Sequence, residues 1–302
     1  MVRPALDGSP KAKGRQGIRT DTDFVSVGDF EAAIMDLDGS AESRNLLVYG
    51  DSGSGKTVLA GTCPRSLILA CEPGYISAAN TSLGVSVGRR QVRLIKDGPT
   101  ALAALDYLEG GGAKKYDWVI LEGGSTLDTK LRLGYAAAAF DGNPESRTAR
   151  NLPDKPDYFN TQNYLRSFFL RFVDLPVNTL TTAHAMRMDD DSGDRLVLPA
   201  FQQKEGVLSN FVCGLMHSVG FMRPVMKGKG DKKVQVRRIR WQQHVDPDTG
   251  TIYFAKDQFN AFGRFKDDTN IVDLMALVDK KAAASENAAA KKNPVRRTTK
   301  EK

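Results

Sequence analysis

Apolar residues along this chain gather in short runs separated by longer amphipathic stretches. Leu46–Tyr49, Ser66–Cys71, Gln91–Lys96, Tyr116–Leu121 and Pro176–Ala183 each read as a strand. Runs of this length, with little alternation of polar and apolar positions, suit strands covered on both faces, as in a parallel sheet. Helical spacing falls between them, over Val58–Cys63, Pro99–Leu108, Ser125–Phe140 and Tyr158–Val173. Pro99 opens the second of these and Gly110–Gly112 closes it. The fourth carries Phe159, Tyr164, Phe168 and Phe172 on its apolar stripe.

The last third changes rhythm. Ala185–Pro199 reads as a hairpin around DDDSGD, and Ser218–Val225 with Val234–Trp241 as a hairpin around KGKGDKK. A helix is expected over Gly206–Leu215, a strand over Ile252–Ala255 after a DPDTG turn, and a terminal helix from Asn270 to about Ala290. Phe24–Val27 and Asp29–Leu37 read as a short strand and a helix leading in. Asp141–Pro156 is polar and contains proline, so it reads as a long loop. Strands alternating with helices and followed by hairpins predict an α/β fold. Its sheet is mostly parallel, flanked by helices, with a C-terminal antiparallel extension.

One strand end carries chemistry. After Leu46–Tyr49 come Gly50, Asp51, Ser52, Gly53, Ser54, Gly55, Lys56 and Thr57, which satisfy G-x-x-x-x-G-K-[ST], the P-loop pattern. Glycines at this spacing let the backbone turn so that N–H groups face a phosphate. Lys56 is placed to reach the β- and γ-phosphates of a nucleotide, and the Thr57 hydroxyl to ligate Mg²⁺. The helix that begins there is expected to add its positive N-terminal end. Two other strands end in carboxylates, Glu72 after SLILAC and Glu122 after YDWVIL. Ligands of open α/β sheets bind outside such carboxyl ends. Glu122 stands where a carboxylate holding Mg²⁺ through water belongs.

With 302 residues the chain can bury a full core, and its net charge of +7 is unevenly placed. Residues 1–20 hold five cations against Asp7, and residues 280–302 hold eight against Glu286 and Glu301, so the middle is mildly acidic. The composition of residues 1–23 and 281–302 predicts disordered basic tails around one folded domain over 24–280. No run of apolar residues is long enough for a membrane span, and the N-terminal stretch lacks the apolar segment of a signal peptide. Cys63, Cys71 and Cys213 form no CxxC pair and read as reduced, buried thiols of a cytoplasmic protein. His184, His217 and His244 show no metal-ligand spacing.

The hairpin over 218–241 adds a second signal. Arg223, Lys227, Lys229, Lys232, Lys233, Arg237, Arg238 and Arg240 face only Asp231, and Trp241 follows, with Tyr253 expected opposite it. Cations beside aromatics suit single-stranded nucleic acid, where charge tracks the backbone and rings stack on bases. A solvated hairpin tip is the plain alternative.

Taken in order, GDSGSGKT, LACEPGY, YDWVILEGGSTL, NTLTTAH and YFAKDQF resemble the landmarks of RecA-like ATPase cores. They are most similar to the phage-encoded ATPases grouped with the Sak single-strand annealing proteins. The resemblance spans about residues 45–265. It implies a Mg²⁺-dependent ATPase that binds single-stranded DNA in recombination or annealing. It also implies a homo-oligomer, ring or filament, working beside a single-stranded DNA-binding protein, in the host cytoplasm if phage-encoded. By the same resemblance Glu72 would polarise the attacking water and Glu122 would be the Walker B acid. His184 would sense the γ-phosphate, and Lys256 would reach the ATP of a neighbouring subunit. The chain departs from the pattern in carrying Glu122 where Asp is usual and Gln258 where relatives often carry Arg. It also has an acidic loop at Asp189, Asp190, Asp191 and Asp194 where RecA approaches DNA. Two alternatives remain open. One is an annealing module that uses ATP as an assembly ligand with little turnover, and the other is a P-loop kinase.

Overall fold

A computed structural model describes residues 43–79, 85–189, 193, 195–201, 206–229 and 232–292. The expected lead-in elements at Phe24–Val27 and Asp29–Leu37 lie outside the described residues, as do the N-terminal tail and most of the acidic loop.

The fold is α/β with a mixed sheet. Its parallel part runs β3 (Gln91–Leu94), β2 (Ser66–Ala70), β4 (Trp118–Glu122), β5 (Asn178–Asp189), β1 (Asn45–Gly50) and β7 (Ser218–Lys227). Strands β8 (Val234–Arg240) and β12 (Phe265–Asp267) extend it antiparallel beyond β7. The unbroken apolar runs pay off here: all residues of β1, β2 and β4 are buried. Such strands need cover on both faces, and both faces have it. On one face Leu47 and Tyr49 pack with helices α2 (Gly98–Glu109), α3 (Gly124–Gly142), α4 (Lys155–Val173) and α5 (Val207–Leu215). On the other Leu46 and Val48 pack with Leu59 and Ala60 of α1 (Lys56–Ala60) and with Ile271, Leu274 and Val278 of α6 (Ile271–Lys292).

Most expected elements lie within a few residues of their predicted bounds, and three departures matter. Helix α1 spans only Lys56–Ala60, because Gly61 turns the chain directly beneath the 3₁₀ segment Pro73–Ala79. A Cβ on Gly61 would lie 2.1 Å from the Ala78 carbonyl oxygen. Five residues make little of a macrodipole, so the expected help from that helix end is small. Second, α6 continues to Lys292, well into the expected disordered tail. Third, β5 does not end at His184. It pairs with β1 as far as Gly50↔His184, then continues as far as Asp189 and pairs antiparallel with β6 (Arg195–Pro199). Behind β6, β10 (Ile252–Tyr253) pairs parallel with it and antiparallel with β9 (His244–Val245).

Other expectations are refined. Phe168 and Phe172 of α4 are fully buried, but Phe159 is exposed, so the stripe begins later than its spacing suggested. The 141–156 loop is tied down at both ends: Arg150 pairs with Asp141, and Arg147 with the buried Asp157. Cys63, Cys71 and Cys213 are free and buried. No helix among the described residues is long and apolar enough to cross a membrane.

Candidate functional site

Strands β1, β2, β4 and β5 run parallel, so their carboxyl ends open on one edge of the sheet. The Gly50–Thr57 loop leaves β1 there. Glu72 follows β2 by two residues, Glu122 ends β4, and His184 lies in β5 opposite Gly50. These side chains surround one cleft of about 300 Å³, lined also by Ser52, Gly53, Gly55, Ser77 and Arg237.

The loop is held close against β7. A Cβ on Gly50 would lie 2.1 Å from the Met222 carbonyl oxygen, so only glycine fits. Gly55 adopts φ +100°, a left-handed value that favours glycine, and hands the chain into α1. Lys56 is buried, and its Nζ donates to the Gly50 and Asp51 carbonyls, both at 2.9 Å, and to Ser54 Oγ at 3.4 Å. Burial holds its pKa below the ordinary lysine value, opposed by the charges of Glu72, Glu122 and Asp51. A lysine so placed is an ammonium turned onto its own loop and free to exchange those acceptors for an anion.

Across the cleft, Thr57 Oγ1 donates to Glu122 Oε1 at 2.7 Å. Glu122 is 2% exposed, and its Oε2 has no hydrogen-bond partner among the described residues. Burial pushes its carboxyl up to about 7, moderated by the Thr57 hydrogen bond and raised again by Glu72. Glu72 is more open. Its Oε2 lies 3.4 Å from Thr126 Oγ1 and 3.7 Å from His184 Nε2. The polar stretches LEGGSTL and NTLTTAH lock these ends together: Gly123 N–H donates to Thr182 Oγ1 at 2.9 Å, and His184 N–H to Ser125 Oγ at 3.0 Å. Thr182 and Ser125 were not singled out from sequence. The run of threonines, Thr179, Thr181 and Thr182, inside a strand covered on both faces is the signal that could have found Thr182.

Two ribbons rise past the sheet edge on either side of β1. One is β5 with β6, the other β7 with β8. From the first, Arg187 forks onto Asp51 at 2.9 and 3.2 Å. From the second, Arg237 lies against Gly55, where a Cβ would come 2.5 Å from the arginine Cδ.

Lys256 is not part of this cleft. It sits in β11 (Lys256–Asp257), paired antiparallel with Val219 and Ser218 in the first residues of β7. Its Nζ donates to the Gly214 carbonyl at 3.2 Å.

The basic hairpin is split by its own pleat. Arg223, Arg238 and Arg240 lie on one face, with Arg223 over the Tyr253 ring, and Arg237 lies on the other. Arg238 is clamped by Asp267 at 2.7 and 2.9 Å and covers the Phe265 ring. Lys227 shares the same carboxylate at 3.3 Å. Lys229, Lys232 and Lys233 are exposed near the tip. The expectation for Trp241 is corrected: the ring is fully buried against Phe262 and cannot stack on a base. Nor does Tyr253 face it. Tyr253 packs on Phe221 and opposes His244, in the other core.

No protein-family model matches this chain, and no curated protein matches it.

Proposed function

We propose that the protein is a Mg²⁺-dependent P-loop ATPase with a RecA-like core that acts on single-stranded DNA. The observation that carries the reading is the pairing of Thr57 with Glu122, whose second oxygen is buried beside the loop lysine with no partner among the described residues. A buried carboxylate oxygen without a donor is costly, and a bound cation would satisfy it. Thr57 and Glu122 fit a Mg²⁺ ion, directly or through water, and bound there it would neutralise charge on the phosphates.

The remaining work falls to the chain itself. Lys56 would leave the Gly50 and Asp51 carbonyls and hold the terminal phosphates. Glu72, half-exposed at the cleft mouth, would orient water for attack, with Thr126 and His184 fixing the carboxylate's direction. Lys256 would serve a neighbour's nucleotide in a homo-oligomer, since it stands outside its own cleft. The exposed lysines of the hairpin tip would contact the DNA backbone, with Arg223 over Tyr253 below them.

The test is equilibrium binding of ATP with and without Mg²⁺, followed by the hydrolysis rate with and without single-stranded DNA. Lys56→Ala should abolish binding or turnover. Parental hydrolysis by that variant would remove the reading.

A further inference from the structure

Of the cations in the basic hairpin, one does not belong with the rest. Residues of β8 alternate between faces, and Ile239 points into the core shared by Val48, Leu59 and Ala60. Arg237 is two residues earlier on the same face, opposite Pro224 of β7. The parallel register sets β7 level with β1 as Tyr49↔Phe221, so Pro224 stands just beyond the end of β1. Arg237 is thereby carried over the glycine loop. Its stem lies against Gly55, where an added Cβ would come 2.5 Å from Cδ and 2.9 Å from Nε.

Its side chain helps line the cleft with Lys56, Thr57, Glu72, Glu122 and His184. Arg238, the next residue, is forked onto Asp267, but Arg237 has no side-chain ion pair or hydrogen bond among the described residues. Its backbone is fixed instead: its N–H donates to Asp268 Oδ1 at 2.8 Å, and its carbonyl accepts from Asp268 N–H at 2.8 Å. A rigid strand thus presents a fork without a partner among the described residues to a site that already gathers one ammonium and two carboxylates. Gly55 is what allows the approach.

We infer that Arg237 is a phosphate-contacting cation supplied by the chain to its own nucleotide, rather than a nucleic-acid contact. The inference rests on the P-loop reading proposed above. A guanidinium binds phosphate oxygens in a planar, two-pronged way that a lysine cannot copy. Placed beside Gly55, it would stabilise charge on the terminal phosphates as they separate, the role of an arginine finger acting in cis. Because Arg237 sits on the same ribbon as the exposed tip lysines, a polyanion bound at the tip would bias the finger through one strand pair.

The experiment compares the parent with Arg237→Gln, Arg237→Lys and Lys266→Gln, the last a matched charge loss on β12. Mg-ATP affinity, hydrolysis without nucleic acid, and single-strand affinity are measured for each, with thermal unfolding alongside. Loss of one preorganised donor predicts a turnover roughly 10²-fold lower for Arg237→Gln in the absence of DNA. Arg237→Lys should recover part of it, and Lys266→Gln should match the parent. If Arg237→Gln does not fold, Arg237→Lys alone carries the test and must fall below the parental rate. Parental turnover in the folded Arg237 variants, with weakened single-strand affinity, would make Arg237 a nucleic-acid contact and overturn the inference. A parent that binds no Mg-ATP would take down both this inference and the reading beneath it, whereas a parent that binds it leaves the variants to decide this one.

Discussion

Thr57 and Glu122, separated by 65 positions in the chain, meet at 2.7 Å across the mouth of the cleft. One lies at the start of the loop helix and the other at the end of β4, two strands away from β1. Their contact holds Glu122 where burial raises its pKa from 4.5 to about 7.

That shift has a sign that can be measured. A carboxyl whose folded pKa is raised takes up protons on folding, so stability falls as pH rises between the unfolded and folded values. For Glu122 the window runs from about 4.5 to about 7. Glu122→Gln keeps an acceptor for Thr57 and has no charge to bury. In metal-free buffer its Tm should equal the parent's near the bottom of that window and exceed it by roughly 3–6 °C above the top. A difference that does not grow with pH would contradict this.

Glu72→Gln should leave Mg-ATP affinity unchanged and lower turnover by roughly 10²-fold, the loss expected when a positioned base is removed. Its carboxylate is partly exposed, and among the described residues its Oε2 lies near Thr126 and His184 at 3.4 and 3.7 Å, so folding should survive the change. Equal losses of binding and turnover would mark Glu72 as structural.

Single-strand affinity should divide the hairpin. Reversing charge at Lys232 and Lys233 should weaken binding and flatten its dependence on salt, because fewer counterions are released. Arg238→Ala should instead lower stability by about 1 kcal/mol, since it removes a partly buried fork onto Asp267 and a cover over Phe265. Salt-independent affinity in the parent would refute the phosphate contacts.

Lys256 provides the test of assembly. Lys256→Ala should bind Mg-ATP normally and lose most turnover, and mixing it with excess Glu72→Gln should restore some. The two defects would then lie on different sides of a shared site. Full activity of Lys256→Ala, or of a monomer, would end the idea of catalysis in trans.

Gly50→Ala should cost roughly 2–3 kcal/mol in urea unfolding, because its methyl would meet the backbone of β7 rather than a movable side chain. No loss of stability would mean that β1 and β7 can part.

The layered α/β plan was legible because β1, β2 and β4 are buried on both faces and therefore unbroken in sequence. The G-x-x-x-x-G-K-T spacing and the carboxylates ending two strands were legible for the same reason: each closes an apolar run. What escaped was set by register. The hairpin over Ala185–Pro199 was legible, but not that its first arm is the same strand as Asn178–His184, which simply changes partner from β1 to β6. The basic hairpin was read as a block of charge, yet its period-2 pleat sends Arg237 to the cleft and Arg240 to the opposite face, and Trp241 closes over Phe262. Which face was inner depended on α1 and α6, elements far away in the chain.

Trp118 and Trp241, the chain's two tryptophans, are 2% and 0% exposed and share the core beneath α1 and α6. Their emission therefore reports on the integrity of that core and is shielded from the cleft. Excited at its red edge, the protein carries its own unfolding gauge. A variant whose emission stays blue while its chemistry fails has lost a function and kept its fold.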